Sequence, residues 1–260
     1  MSAGMRIIIS PAKRMREEDT LPCEGAPHFL PQAEQLFQAM RALSRNELQA
    51  LWNCGDAIAD QNVRRLHARS PRDGTTPALL AYEGIQYRYM APGVFTAEQF
   101  RYVQRHLRIL SGLYGVLRPF DGVIPYRLEM QARLRTQKAA DLYGFWGSQI
   151  ADLLWAETDC IVNLASKEYS LCVSRFVPPG ARFITCIFGQ QHNGKIIEKG
   201  TLCKMARGEM VRYLAETEAE DPRSMRNFSR LGYSFDPVRS DESNYVFVAG
   251  PPSRTGAKKR

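Results

Sequence analysis

Apolar runs of strand length and segments of helical period are interleaved along this chain, without the strict alternation of a repeating strand–helix fold. Arg6-Ile7-Ile8-Ile9, stopped by Ser10-Pro11, reads as a short buried strand, as do Cys160 to Leu164 and Tyr245 to Val248. Ala78 to Tyr82 is a further candidate strand. Arg182 to Phe188 and Lys195 to Glu198 read as two strands joined by His192-Asn193-Gly194, a hairpin signal. Apolar residues recur at helical spacing from Gln32 to Leu43 and again from Asn46 to His67. Ser44, three residues before Glu47, makes a capping-box pattern. Thr96 is placed to cap a helix with the stripe Phe100, Val103, Leu107 and Leu110, and Asp141 to cap one running through Phe145, Trp146, Ile150 and Leu153. Thr201 begins another helix and Pro222 opens a short one. The mixture predicts an α+β (mixed α/β) fold, a single domain over 5–249 with a central mixed sheet flanked by helices. Residues 250–260, rich in Pro, Gly and basic side chains, are expected to form a disordered tail.

With 260 residues, 44% of them hydrophobic, the chain can bury a sizeable core. No apolar run approaches the ~18 residues that span a bilayer, and Ile7 to Ile9 is too short for a signal-peptide core. The expectation is a cytoplasmic protein. The six cysteines include no Cys-x-x-Cys pair and the four histidines are scattered, so no metal or cofactor is expected. Cys160 and Cys186 lie in apolar runs, where cysteine acts as a small buried hydrophobe.

The net charge is +8, but Arg254, Lys258, Lys259 and Arg260 at the end of the chain account for half of it. Clustering matters more than the total. Between Arg101 and Arg135 seven arginines face only Asp121 and Glu129. Arg101, Arg105 and Arg108 fall on a different stripe of the helix capped by Thr96 and are expected to face outward together.

Five motifs place polar groups where chemistry is possible. Ser10-Pro11-Ala12-Lys13 follows a strand, where backbone amides, a hydroxyl and an ammonium can meet an anion. Lys13 suits a phosphate contact, or an amine nucleophile if burial lowers its pKa, and a solvated turn lysine is the plain alternative. Leu110-Ser111-Gly112-Leu113-Tyr114-Gly115 suits a tight bend whose glycines let a phosphate approach the backbone, or an ordinary helix end. Arg118-Pro119-Phe120-Asp121 and Pro125-Tyr126-Arg127-Leu128-Glu129 mix arginines with aromatics, for stacking and phosphate contact or for internal ion pairs. Asn163-Leu164-Ala165-Ser166-Lys167-Glu168-Tyr169 sits at a strand end and helix start, where Ser166 is either an N-cap or part of a ligand site. In Lys204-Met205-Ala206-Arg207-Gly208 the glycine thins a helix between two cations.

Several of these blocks, in this order, resemble the YaaA family of bacterial peroxide-stress proteins. They are Arg6 to Lys13, His106 to Pro119, Pro125 to Met130, Leu142-Tyr143-Gly144-Phe145-Trp146-Gly147, Asn163 to Ser166 with Glu168-Tyr169, and Ala206-Arg207-Gly208. The likeness covers essentially Met5 to Val248, and is weak between Arg14 and Arg72. It implies a cytosolic protein that limits intracellular free iron and oxidative DNA damage, with a basic cleft and a helix-hairpin-helix-like element that binds DNA. On that expectation Lys13, Arg101, Arg105, Arg108, Gly112, Tyr114, Gly115, Arg118, Arg127, Lys204 and Arg207 contact DNA, largely independent of sequence. The alternative is an enzyme acting on a nucleobase, nucleotide or other small anion. Lys13 is then the amine nucleophile, assisted by Asp121, Glu129, Ser166 and Glu168.

Overall fold

The Ile7-Ile8-Ile9 run has no exposed surface, so its strand is covered on both faces. In the computed structural model, which describes residues 4–250, it forms β1 (Arg6–Ile9), in the middle of the sheet. The chain then makes β2 (Arg14–Met15) and three helices, α1 (Leu30–Arg41), α2 (Arg45–Trp52) and α3 (Asp56–Ala68). The segment expected to be one helix from Asn46 to His67 is therefore two. Asn53 takes a left-handed conformation at φ 43° and ends α2, and Gly55 opens α3. The Ser44–Glu47 capping box is present. Next come β3 (Thr76–Pro77), α4 (Ala78–Ala81), β4 (Tyr82–Glu83) and α5 (Ile85–Met90). Ala78 to Tyr82, expected as a strand, is mostly one buried helical turn.

Thr96 caps α6 (Ala97–His106), sharing a capping box with Gln99. The helix stops four residues short of the predicted stripe. Leu107 is extended and β5 (Leu107–Ser111) pairs in parallel with β1, Ile7 opposite Leu107 and Ile9 opposite Ile109. Leu107 and Leu110 fit either period, and pairing with the isoleucine strand decides. A bend leads back through β6 (Gly115–Leu117), and β7 (Gly122–Val123) follows. Asp141 caps α7 (Leu142–Trp146), which ends at Gly147 with φ 50° before α8 (Gln149–Glu157) begins.

The second half supplies β8 (Cys160–Leu164), α9 (Lys167–Ser174), β9 (Arg182–His192), β10 (Lys195–Ile197) and α10 (Gly200–Glu216), then β11 (Tyr233–Phe235) and β12 (Asn244–Ala249). The β9–β10 hairpin turns at Asn193 and Gly194, both at positive φ, as a two-residue turn of this kind requires. Pro222 opens a single 3₁₀ segment. The main sheet runs β11-β12-β9-β8-β1-β5-β6, with β10 beside β9. Five strands, β12, β9, β8, β1 and β5, are mutually parallel, while β6, β10 and β11 are antiparallel. This is the mixed α/β fold expected, with a central mixed sheet flanked by helices. Beyond Gly250, the expected tail lies outside the described residues.

Candidate functional site

The strand order reverses between β1 and β8. From β1 the next sheet strand is β5 on one side, and from β8 the next is β9 on the other. At such a switch point the loops leaving the two carboxyl ends diverge and open a crevice, where ligands of open α/β sheets bind. The loops in question are Ser10-Pro11-Ala12-Lys13 and Ala165-Ser166. They are tied together: the Ser166 amide donates to Ser10 Oγ at 2.8 Å and the Ser10 hydroxyl to Ser166 Oγ at 3.2 Å. Ser166 stands at the N-cap position of α9, but its side chain accepts no helix amide, so it is not the simple cap the sequence offers.

A cavity of about 350 Å³ opens here. It brings together Lys13, Arg127, Glu129, Ser166, Glu168, Lys204 and Arg207, drawn from four of the sequence motifs and from positions almost two hundred residues apart. Lys13 Nζ meets Glu129 Oε2 at 2.8 Å, and Arg127 Nη2 approaches Glu129 Oε1 at 3.6 Å. Arg127 is further held by two bonds of 3.2 Å to the Trp52 carbonyl, so its guanidinium is positioned by α2. Burial raises the Glu168 carboxyl above its ordinary pKa, opposed by the Gln131 amide that donates to it at 3.3 Å and reinforced by the Glu129 charge. Behind the cavity, Tyr126 bridges the Tyr82 hydroxyl at 2.8 Å and Ser111 Oγ at 2.6 Å. Burial pushes the Tyr126 phenol up to about 12, so the chain of hydroxyls stays protonated at neutral pH.

Two further open cavities adjoin this one. One, about 610 Å³, shares Arg14, Glu83 and Tyr87 with it and adds Arg16 and Arg88. The other, about 700 Å³, shares the Lys13–Glu129 pair and adds Arg133 and Arg135 beside the apolar Leu51 and Leu134. Nine cations and four carboxylates line the three together, so the continuous cleft is electropositive.

The structure separates the other expected contacts from this cleft. Gly112, Tyr114 and Gly115 are buried. They form a β-hairpin bend within the core, not a helix-hairpin-helix element, and offer no amides to a phosphate. A Cβ at Gly112 would lie 2.4 Å from the Leu128 carbonyl, and Gly115, at φ 70°, packs against Trp146 and Phe29. The close approach is made by the protein's own backbone. Gly208 is the same case: α10 crosses α5 there, and a Cβ would fall 2.1 Å from the Gln86 carbonyl. Arg108 belongs to β5 and not to α6, and is 5% exposed. Glu157 takes it at 2.7 Å together with Arg6 at 2.9 Å. Arg118 and Asp121 share a separate cavity of about 150 Å³ with that pair. Burial raises the Asp121 carboxyl to about 6. Arg101 and Arg105 are exposed on α6 and line none of the three cavities, Arg101 pairing with Glu98.

Sequence reasoning missed Gln86 and Tyr87 on α5, and the arginines Arg14, Arg16 and Arg88. The α5 segment has no motif; its crossing with α10 and a 3.0 Å bond from the Tyr87 hydroxyl to the Ser10 carbonyl bring it to the cleft, while the pairing of β2 with β4 places Arg14 and Arg16 beside it. Among the described residues no group of three or more His, Cys, Asp or Glu is placed to hold a metal ion. No helix of the described residues is long and apolar enough to cross a membrane.

Comparison with known proteins agrees with the likeness seen in the motifs. The family model for the peroxide stress protein YaaA matches residues 5–239. A UPF0246 protein of Lachnoclostridium phytofermentans is 49% identical over 247 residues, covering 95% of this chain and 97% of the relative. UPF0246 proteins of Agathobacter rectalis and Desulfitobacterium hafniense are 47% and 46% identical, each over 94% of this chain and 98% of the relative. With its motifs in the same order and relatives matched end to end, this chain belongs to the peroxide stress protein YaaA family.

Proposed function

We propose that this protein acts in the cytoplasm during peroxide stress by binding DNA along the cleft, limiting oxidative DNA damage and available iron. The observation that carries the binding is the excess of nine cations over four carboxylates along three adjoining cavities. Lys13, Arg127, Lys204 and Arg207 supply the centre, with Arg133 and Arg135 at one end and Arg14, Arg16 and Arg88 at the other. Contacts to phosphates carry no base-sequence information, so binding of this kind is independent of sequence. The test is the salt dependence of binding to single-stranded and duplex DNA. Each phosphate contact contributes about −0.7 to −0.9 to the slope of log K against log salt. A slope of −3 or steeper, reduced by roughly 1.5 in the Arg133→Gln/Arg135→Gln double variant, is expected. A flat plot refutes the reading.

One observation favours a second reading, an enzyme acting on a nucleobase or nucleotide: Lys13, Glu129, Ser166 and Glu168 share one cavity. Against it, the Lys13 side chain is 61% exposed and paired with Glu129, which is not the dry surrounding that activates an amine. Asp121 lies elsewhere. Borohydride trapping of an abasic-site DNA on Lys13 carries this reading, and a Lys13→Gln variant that traps equally well removes it.

A further inference from the structure

Two residues that line the central cavity carry buried donors that the protein itself leaves unused. Gln86 Nε2 and Arg207 Nε are buried without a hydrogen-bond partner among the described residues, and both residues line the cavity. Gln86 is 7% exposed. Buried donors are almost always satisfied, so two on residues of one cavity's lining point to an acceptor that arrives from outside. The neighbouring carboxylates do not serve. Glu129 is engaged by Lys13 and Arg127, Glu168 accepts from the Gln131 amide, and Glu198 reaches Arg207 through Nη2, at 3.6 Å. Lys204 lies three residues before Arg207, on the same side of α10. Across the cavity α9 begins at Ser166, and the first amides of a helix have no intrahelical acceptor and carry the positive end of its dipole.

We propose that this cavity binds a phosphomonoester, the terminal phosphate of a nucleotide, either free or at the end of a strand. Gln86 and Arg207 donate to its oxygens, Lys204 supplies charge, and the start of α9 closes the opposite side. A cavity of about 350 Å³ lies at the lower end of small-molecule sites, sized for one nucleotide and not for a duplex. The strand-end form rests on the cleft reading of the previous section, and the free-nucleotide form does not.

The test is calorimetric titration of the full chain at fixed ionic strength with dAMP, deoxyadenosine, inorganic phosphate, and one oligonucleotide bearing either a 5′-phosphate or a 5′-hydroxyl. dAMP is expected to bind at least tenfold tighter than deoxyadenosine, with inorganic phosphate competing. Arg207→Met and Gln86→Leu each weaken dAMP tenfold or more. Lys204→Gln, an exposed change that leaves the core untouched, weakens it about threefold and keeps the proposal testable if the buried variants misfold. A 5′-phosphate that tightens the oligonucleotide by a similar factor identifies strand ends as a ligand, and dAMP binding without that effect identifies the free nucleotide. Equal affinity for dAMP and deoxyadenosine overturns the proposal. So does tight binding of the 5′-hydroxyl oligonucleotide with no dAMP binding, which leaves the cleft reading intact. Binding of dAMP with no oligonucleotide binding does the reverse.

Discussion

Substituting alanine at Gly112 separates two roles a glycine bend can have. If the bend gripped phosphates at the surface, an added methyl would weaken DNA binding and leave the fold alone. In the structure that methyl carbon falls 2.4 Å from the Leu128 carbonyl oxygen and 3.1 Å from the Glu129 carbonyl carbon, both backbone atoms. The strap they belong to cannot slide freely. Arg127 is bonded to the Trp52 carbonyl and Tyr126 to both Tyr82 and Ser111. Trp146 Nε1 donates to the Gly112 carbonyl, which fixes the bend from the other side. Overpacking of this kind costs about 1–3 kcal/mol, and a clash with tethered backbone belongs at the upper end. For a chain of this size that is a fall in Tm of roughly 5–10 °C. Because the strap carries Arg127 and Glu129 into the cleft, DNA affinity falls with it. Thermal unfolding followed by circular dichroism, together with a binding isotherm on the folded variant, measures both. A Gly112→Ala protein that melts within 1 °C of the parent yet has lost DNA binding refutes this account and restores the phosphate-gripping bend.

Other outcomes follow from the same geometry. Gly208→Ala drives a methyl to 2.1 Å from the Gln86 carbonyl at the α5–α10 crossing, and a loss of roughly 3 kcal/mol in chemical denaturation is expected. Arg108→Met leaves Glu157 half-paired in the interior, costing about 3 kcal/mol, while the salt slope of DNA binding stays unchanged. Asp121 has its pKa raised by burial from 3.8 to about 6, so the folded protein holds that proton more tightly than the unfolded chain. Its contribution is complete below pH 3.8 and is lost as pH rises through about 6, up to on the order of 3 kcal/mol. Asp121→Asn is expected to flatten that part of the stability–pH curve, and an unchanged curve contradicts the assignment. Tyr126→Phe removes the hydroxyl between Tyr82 and Ser111 and is expected to cost about 1–3 kcal/mol in denaturant titration.

What the sequence made legible were local patterns backed by tertiary structure. The Ile7 to Ile9 run reads as a doubly covered strand because nothing polar interrupts it. The Ser44–Glu47 box and the Thr96 and Asp141 caps are visible because a helix start needs side-chain acceptors. The loops after β1 and β8 were likewise readable as ligand positions. Their meeting in one cavity depends on strand order, which no local pattern encodes. Leu107 and Leu110 lie in β5 and not in the predicted helix; three-residue spacing within a short apolar run suits either element. The glycines at 112, 115 and 208 reveal that something approaches closely, but not whether it is a phosphate or the chain's own backbone. Arg108 shows the same ambiguity for charge, since spacing does not distinguish an exposed cation from one taken up by Glu157.

The position of β1 also bears on how the molecule is made. β1 leaves the ribosome before either of its neighbours, and both are distant in the chain. One flank is filled by residues 107–111 and the other only by residues 160–164. At elongation rates of ~5–20 residues per second, an isoleucine-rich segment waits roughly 10–30 s with an open side. Nascent chains of this protein are therefore most vulnerable to chaperone capture or aggregation before Leu164 is translated, and slower elongation across residues 112–159 prolongs that window.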